Sequence, residues 1–310
     1  GRTVVLVVNA LKVQETLQQD LETWLRLMDV DAPAKYFPDW EVLPHEHKLP
    51  HADAISERLE TLQVLAGGGP APVITTTVAA LMQCTLPPSE VTHRTRTLRL
   101  GNRLDPLDFV EWLEAQAYEP EAQVTQRGEL SLRGGIVDVF PFTTPWPVRC
   151  EFFGDELESL RYFNPLSQVS REKIDEATFA PGGEVGLLRD MKKPAHATLL
   201  EHLPDDAILL FCDADAIEQA AAEKMMEFPP GDLFHVDWAI LQARMEVRKM
   251  SRVDLSELAD TAADVSLEIS SLEAFRPMGA RIADPQIVEA QRREFFAQIH
   301  RWRRQGHEVL

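Results

Sequence analysis

Residues 133–163 read RGGIVDVFPFTTPWPVRCEFFGDELESLRYF, and the alternation within this stretch decides the architecture around it. From Val148 to Phe153 successive side chains fall on opposite faces of a strand, so Val148, Cys150 and Phe152 share one face and Arg149, Glu151 and Phe153 the other. The first set is apolar and the second carries charge, as expected of an antiparallel strand with one face on a core. Gly154-Asp155 predicts a two-residue hairpin turn with glycine first. An aromatic ring displayed beside an arginine and a glutamate is also a composition that binding surfaces favour. The plainer reading of the same residues is a half-buried strand with a local Arg–Glu pair.

Outward from this ladder the chain divides into three units, residues 1–90, 91–185 and 186–310. The first opens on a strand at Thr3 to Val8. A helix near Leu11 to Met28 follows, with apolar Val13, Leu17, Leu21, Trp24 and Met28 on one side. A second helix near Ala52 to Leu65 and a strand at Val73 to Thr75 leading into Val78 to Gln83 make the unit parallel α/β. Pro87-Pro88 marks the boundary with the second unit, because paired prolines interrupt helix and ladder alike. That unit is α+β: one helix, with Asp105 as N-cap and Pro106 in the first turn, and the strands around Glu129 to Phe163. After Pro181-Gly182-Gly183 the α/β pattern returns. Ala207 to Cys212 is an apolar strand, and Asp213 to Phe228 is a helix with Ala216, Ala220 and Met225 inward. His307 to Leu310 reads as the start of a strand, so a piece of a longer protein is expected.

The segment RGGIVDVFP followed by PVRCEFFGDELESLRYF resembles the second domain of the family that contains UvrB and the transcription-repair coupling factor Mfd. YFPDWEVLP at Tyr36 to Pro44, PHADAISERLETL at Pro50 to Leu62, VITTTVAALMQ at Val73 to Gln83 and GNRLDPLDFVEWLEAQAY at Gly101 to Tyr118 follow the order of the Mfd amino-terminal module. The match is specific through about Arg171. It implies a helicase-like parallel-sheet domain, degenerate and without a phosphate loop, that carries an inserted α+β domain 2 of the UvrB type. It further implies a UvrA-recruiting adaptor in nucleotide excision repair, with stalled RNA polymerase and DNA engaged through carboxy-terminal parts outside this chain. Within the family a further domain can cover the UvrA-binding face. The positions that contact UvrA carry over as Arg133, Arg149, Glu151 and Phe153, and Ser131 departs where UvrB-like sequences often have another arginine. UvrB itself has a long tyrosine-rich hairpin after the first helix; Pro38 to Pro50 leaves no room for one here. The alternatives are a UvrB-like damage-verification fragment and an unrelated nucleotide-binding α/β enzyme.

Composition excludes more than it assigns. The 310 residues carry a formal net charge of −19, which argues against a chain that grips phosphate backbones, since nonspecific nucleic-acid affinity comes from clustered cations. Weak or no DNA binding is expected. Arg301, Arg303 and Arg304 are read as the solvated face of a helix buried through Phe295, Ile299 and Trp302. No apolar run reaches membrane length and no signal-peptide pattern is present, so a cytoplasmic location is expected. Cys84, Cys150 and Cys212 lack metal or disulfide spacing.

Catalytic, cofactor and metal residues are all expected to be absent. A nucleotide-hydrolysing loop needs Gly-Lys-Ser or Gly-Lys-Thr between strand and helix, and no Gly-Lys dipeptide occurs. Gly67-Gly68-Gly69-Pro70 lies after a helix and reads as a plain loop. Asp175-Glu176-Ala177-Thr178 follows a charged segment rather than a buried strand and reads as surface. His45, Glu46, His47 and His51 lack a fourth metal ligand, and Asp213-Ala214-Asp215 reads as a helix cap.

Overall fold

The computed structural model of the chain describes residues 1–42, 50–191, 197–229, 232–256, 263–266 and 285–305. They belong to two compact units, Gly1–Glu257 and Leu258–Leu310.

The first unit opens with β1 (Val4–Val8), α1 (Leu11–Leu27), β2 (Ala34–Phe37), α2 (Ala52–Ala66), β3 (Val73–Thr77), α3 (Val78–Met82) and α4 (Pro88–His93). There follow β4 (Arg96–Arg99), α5 (Pro106–Glu114), β5 (Glu119–Pro120), β6 (Glu129–Arg133), β7 (Ile136–Val139), β8 (Val148–Phe153), β9 (Glu156–Phe163), β10 (Ser170–Lys173) and β11 (Glu176–Phe179). The unit closes with α6 (Glu184–Asp190), α7 (Leu199–His202), β12 (Ile208–Cys212), α8 (Ala214–Glu227), α9 (Trp238–Val247) and β13 (Ser251–Leu255).

Two main sheets result. Five parallel strands stand in the order β13-β12-β1-β3-β2, with Val4 of β1 opposite Ile208 of β12 on one side and Val73 of β3 on the other. The β1 sequence Val-Val-Leu-Val-Val suits a central parallel strand, covered on both faces. The other sheet, β10-β9-β8-β7-β6-β5, is antiparallel except at its β5 edge, and β4 pairs separately with β11. All of these latter strands lie in sequence between β3 and β12. Their core packs Leu130, Val137, Cys150, Phe152 and Leu160 under α5, where the Phe109 ring meets Phe179 edge-on at 5.2 Å between centroids.

The two sheets are joined through buried polar contacts. Phe142 packs on Ile55 and Leu59 of α2, and Ser56 and Arg127 both donate to its carbonyl. Below this, Arg58 of α2 is fully buried against the Phe37 and Trp40 rings and donates through Nε to Glu184 Oε2 at 2.5 Å. The Thr85 hydroxyl and the Trp40 indole also donate to the Glu184 carboxylate. This satisfies an ion pair that would otherwise be costly in a dry interior.

Three details are refined. The apolar side of α1 is only partly covered: Leu17 and Leu21 are half-buried, Val13, Trp24 and Met28 are exposed, and the buried side chain is Gln14. The reason is the polar row beneath it. Gln14 Nε2 donates to the carbonyls of Phe37 and Thr75, and the Thr75 hydroxyl donates to Gln18. On α8 the buried residues are Ile217 and Ala221, with Ala216, Ala220 and Met225 beside them at the margin. Pro88 starts a helix rather than only breaking one, since the first helical turn has no use for its missing N–H.

In the second unit α10 (Pro285–Arg304) half-buries Phe295, Ile299 and Trp302 and exposes Arg301, Arg303 and Arg304. The expected strand at His307 to Leu310 lies outside the described residues. Among the described residues no helix is long and apolar enough to cross a membrane.

Candidate partner-binding site

The β8 alternation appears in the structure as read: Val148, Cys150 and Phe152 are buried, Arg149 and Glu151 half-buried, and Phe153 is 76% exposed. Phe153 pairs with Glu156 across a turn in which Gly154 has φ 63° and Asp155 does not take a positive φ, the glycine-first pattern. A register shift between Glu151 and Phe152 marks a bulge just before the exposed ring. The neighbouring β6–β7 hairpin turns at Gly134-Gly135, and the Gly135 carbonyl accepts from the Phe152 amide at 2.7 Å. The two hairpin tips therefore lie side by side, with Arg133 on one and Phe153 on the other.

Cross-strand register sets the charges. Ser131, Asp138, Arg149, Arg161 and Lys173 stand opposite one another in a row across β6 to β10. Arg149 directly facing Arg161 is unfavourable taken alone. Each arginine is drawn to an acid instead. Asp138, 0% exposed, accepts from Arg149 Nε at Oδ1 (2.7 Å) and from Nη2 at Oδ2 (2.8 Å), and Arg161 pairs with Glu151. Asp138 Oδ2 also accepts from Arg133 Nη2 at 2.5 Å. The local Arg149–Glu151 pair of the plainer reading is replaced by these two cross-strand pairs. The Asp138 hydrogen bond pushes the Arg149 guanidinium up from its ordinary value, further fixing its charge.

The four sequence-derived residues thus share one sheet face: Arg133, Arg149 and Glu151 are tied into ion pairs and Phe153 is free. Sequence reasoning missed Asp138 and Arg161. Asp138 had a signal, as the one acid within Ile136-Val137-Asp138-Val139, in phase with the outward face.

The remaining motifs take ordinary structural roles. Gly67 caps α2, Asp175 and Glu176 are exposed ahead of and on β11, and Asp213 caps α8 by accepting from the Ala216 amide. His51 caps α2, whereas His45, Glu46 and His47 lie outside the described residues. Among the described residues no His, Cys, Asp and Glu cluster suits a metal ion. Cys84 is buried, which pushes its thiol up to about 12 and leaves it protonated.

The chain is therefore mixed α/β, its parallel sheet interrupted in sequence by an antiparallel domain with a charged, aromatic-tipped face. Residues 97–184 match the UvrB interaction domain, which covers the face described above. The chain is similar to the transcription-repair-coupling factors of Haemophilus influenzae (34% identical over 148 residues, 48% of this chain and 13% of the relative) and Escherichia coli K12 (34% over 170 residues, 53% and 15%). The Mycobacterium tuberculosis factor is 30% identical over 258 residues, 66% of this chain and 21% of the relative. The chain thus matches between 13% and 21% of the length of these relatives. Residues 97–184 are thus a UvrB interaction domain, and the chain is an Mfd/UvrB-like module.

Proposed function

We propose that this module recruits UvrA in transcription-coupled nucleotide excision repair, docking it on the face formed by Arg133, Arg149, Glu151 and Phe153. The observation that carries the reading is the Phe153 ring, 76% exposed at a rigid hairpin tip inside the matched interaction domain and flanked by fixed charges. An exposed aromatic anchor with ordered charges around it is what a specific interface uses for affinity and register.

On this reading the parallel sheet is a degenerate helicase-like domain that scaffolds the docking face and does not hydrolyse nucleotide. Stalled RNA polymerase and DNA are engaged by segments of the parent protein outside this chain, which itself works in the cytoplasm as an adaptor and binds DNA weakly. The resemblance to coupling factors and the net charge of −19 support this division. Calorimetric titration of purified UvrA into the chain tests it: saturable one-site binding is expected. Absence of heat, together with absence of co-elution on gel filtration, removes the proposal.

A further inference from the structure

We propose that Asp138 is a positioning residue for partner binding: its buried carboxylate holds Arg149 as a prop and fixes the half-exposed Arg133 on the sheet face that carries Phe153. The inference rests on the reading of this face as the UvrA-docking surface and assigns different tasks to residues within it.

Arg149 has little left to offer a partner. Its Nε and Nη2 donate to Asp138 and its Nη1 to the Gln168 carbonyl at 3.5 Å. Its guanidinium also lies 4.6 Å from the Phe163 ring centroid, and the side chain is 14% exposed. Arg133 is the opposite case. A single nitrogen is bound to Asp138 Oδ2, and 48% of the side chain stays in solvent. Because one carboxylate serves two guanidinium groups, the cluster keeps a net positive charge, and Arg133 is where that charge meets solvent. Asp138 also removes rotamer freedom from Arg133 before any partner arrives, so less is lost on docking.

The partner chemistry follows from this. The recognised surface carries a carboxylate placed to accept from the Arg133 fork, next to an apolar recess for the Phe153 ring. A cation held in place beside an exposed aromatic anchor acts as a determinant of register.

The test is titration of UvrA into the full chain at two salt concentrations, with thermal unfolding of each variant. Phe153→Ala reports on the docking surface itself. Asp138→Asn and Arg133→Ala are expected to weaken binding by about tenfold each, and Arg133→Ala, which removes the cation, to flatten its salt dependence. The double variant should lose no more than either single one, because Asp138 acts through Arg133. Arg149→Lys keeps a cation on Asp138 but gives up one of its two hydrogen bonds there, so its binding should fall by less than that of Arg133→Ala.

If Phe153→Ala weakens binding while Asp138→Asn binds as wild type, the positioning role is overturned and the docking surface stands. If Phe153→Ala also binds as wild type, the docking surface itself is wrong. An Asp138→Asn whose loss adds to that of Arg133→Ala in the double variant overturns the proposal as well. Should Asp138→Asn fail to fold, Arg149→Lys decides: a loss as large as that of Arg133→Ala makes Arg149 a direct contact and overturns the assignment, whereas a smaller loss supports it.

Discussion

Gly135 and Phe152 meet backbone to backbone: a Cβ on Gly135 would stand 2.6 Å from the Phe152 carbonyl oxygen. Neither atom belongs to a flexible side chain, so a substitution must move a strand. Gly135→Ala is expected to destabilise the chain by about 1–3 kcal/mol, the usual cost of overpacking, and to shift the tip that carries Phe153. Denaturant unfolding measures the first effect and UvrA titration the second. An alanine variant with unchanged stability and affinity contradicts the tight approach.

Phe153 itself should behave differently. The ring is outside the core, so Phe153→Ala should change stability by less than about 0.5 kcal/mol. Its affinity for UvrA should fall by roughly thirtyfold, about 2 kcal/mol, as for a central aromatic anchor. Parallel calorimetry and thermal melts separate the two; a collapsed melt would make Phe153 a core residue.

Glu184→Ala leaves the fully buried Arg58 without its carboxylate. Breaking one side of such a pair costs about 3–5 kcal/mol, far more than the pair contributes over an apolar substitute. Denaturant unfolding should show the loss, and Arg58→Met with Glu184→Leu should recover much of it. A single variant within 1 kcal/mol of wild type would sink the idea.

Stability should also depend on pH through His202. Burial, the largest influence, holds this imidazole below its ordinary value, although Glu184, Glu201 and the Leu86 carbonyl act the other way. The unfolded chain therefore takes up a proton near pH 6.5 that the folded chain resists. The stabilising contribution is present above about pH 6.5 and falls as pH drops toward the folded value. Melting temperatures between pH 7.5 and 5.5 should decline, and His202→Gln should flatten that decline.

The fifth expectation concerns ATP. With no Gly-Lys phosphate loop, the purified chain should release no phosphate from ATP, with or without DNA. Turnover that survives removal of contaminating ATPases and scales with chain concentration would reveal an unconventional site.

The strand alternation at Val148 to Phe153 was legible because period-two patterning depends on the chain alone. So were the Gly154-Asp155 turn and the Asp105 and Asp213 caps, each a local rule. The partner of Arg149 was not: it sits on β7, and register between strands is settled by how two hairpins align. The α1 face was legible only in part for a related reason. Its apolar residues marked one side, but the polar row of Thr75 and the Phe37 carbonyl decided that Gln14 should be the buried residue. An amphipathic pattern tells that a helix has two faces and leaves the choice to the surface beneath it.

β1 takes β3 and β12 as its two neighbours, yet about 130 residues separate the end of β3 from the start of β12. On a translating ribosome, at rates of about 5–20 residues per second, one edge of the hydrophobic β1 strand stays unpaired on the order of ten seconds. The interaction domain is complete in that interval, before the sheet that holds it. The order of synthesis thus favours a nascent chain whose antiparallel domain has matured while one edge of its parallel sheet is still open.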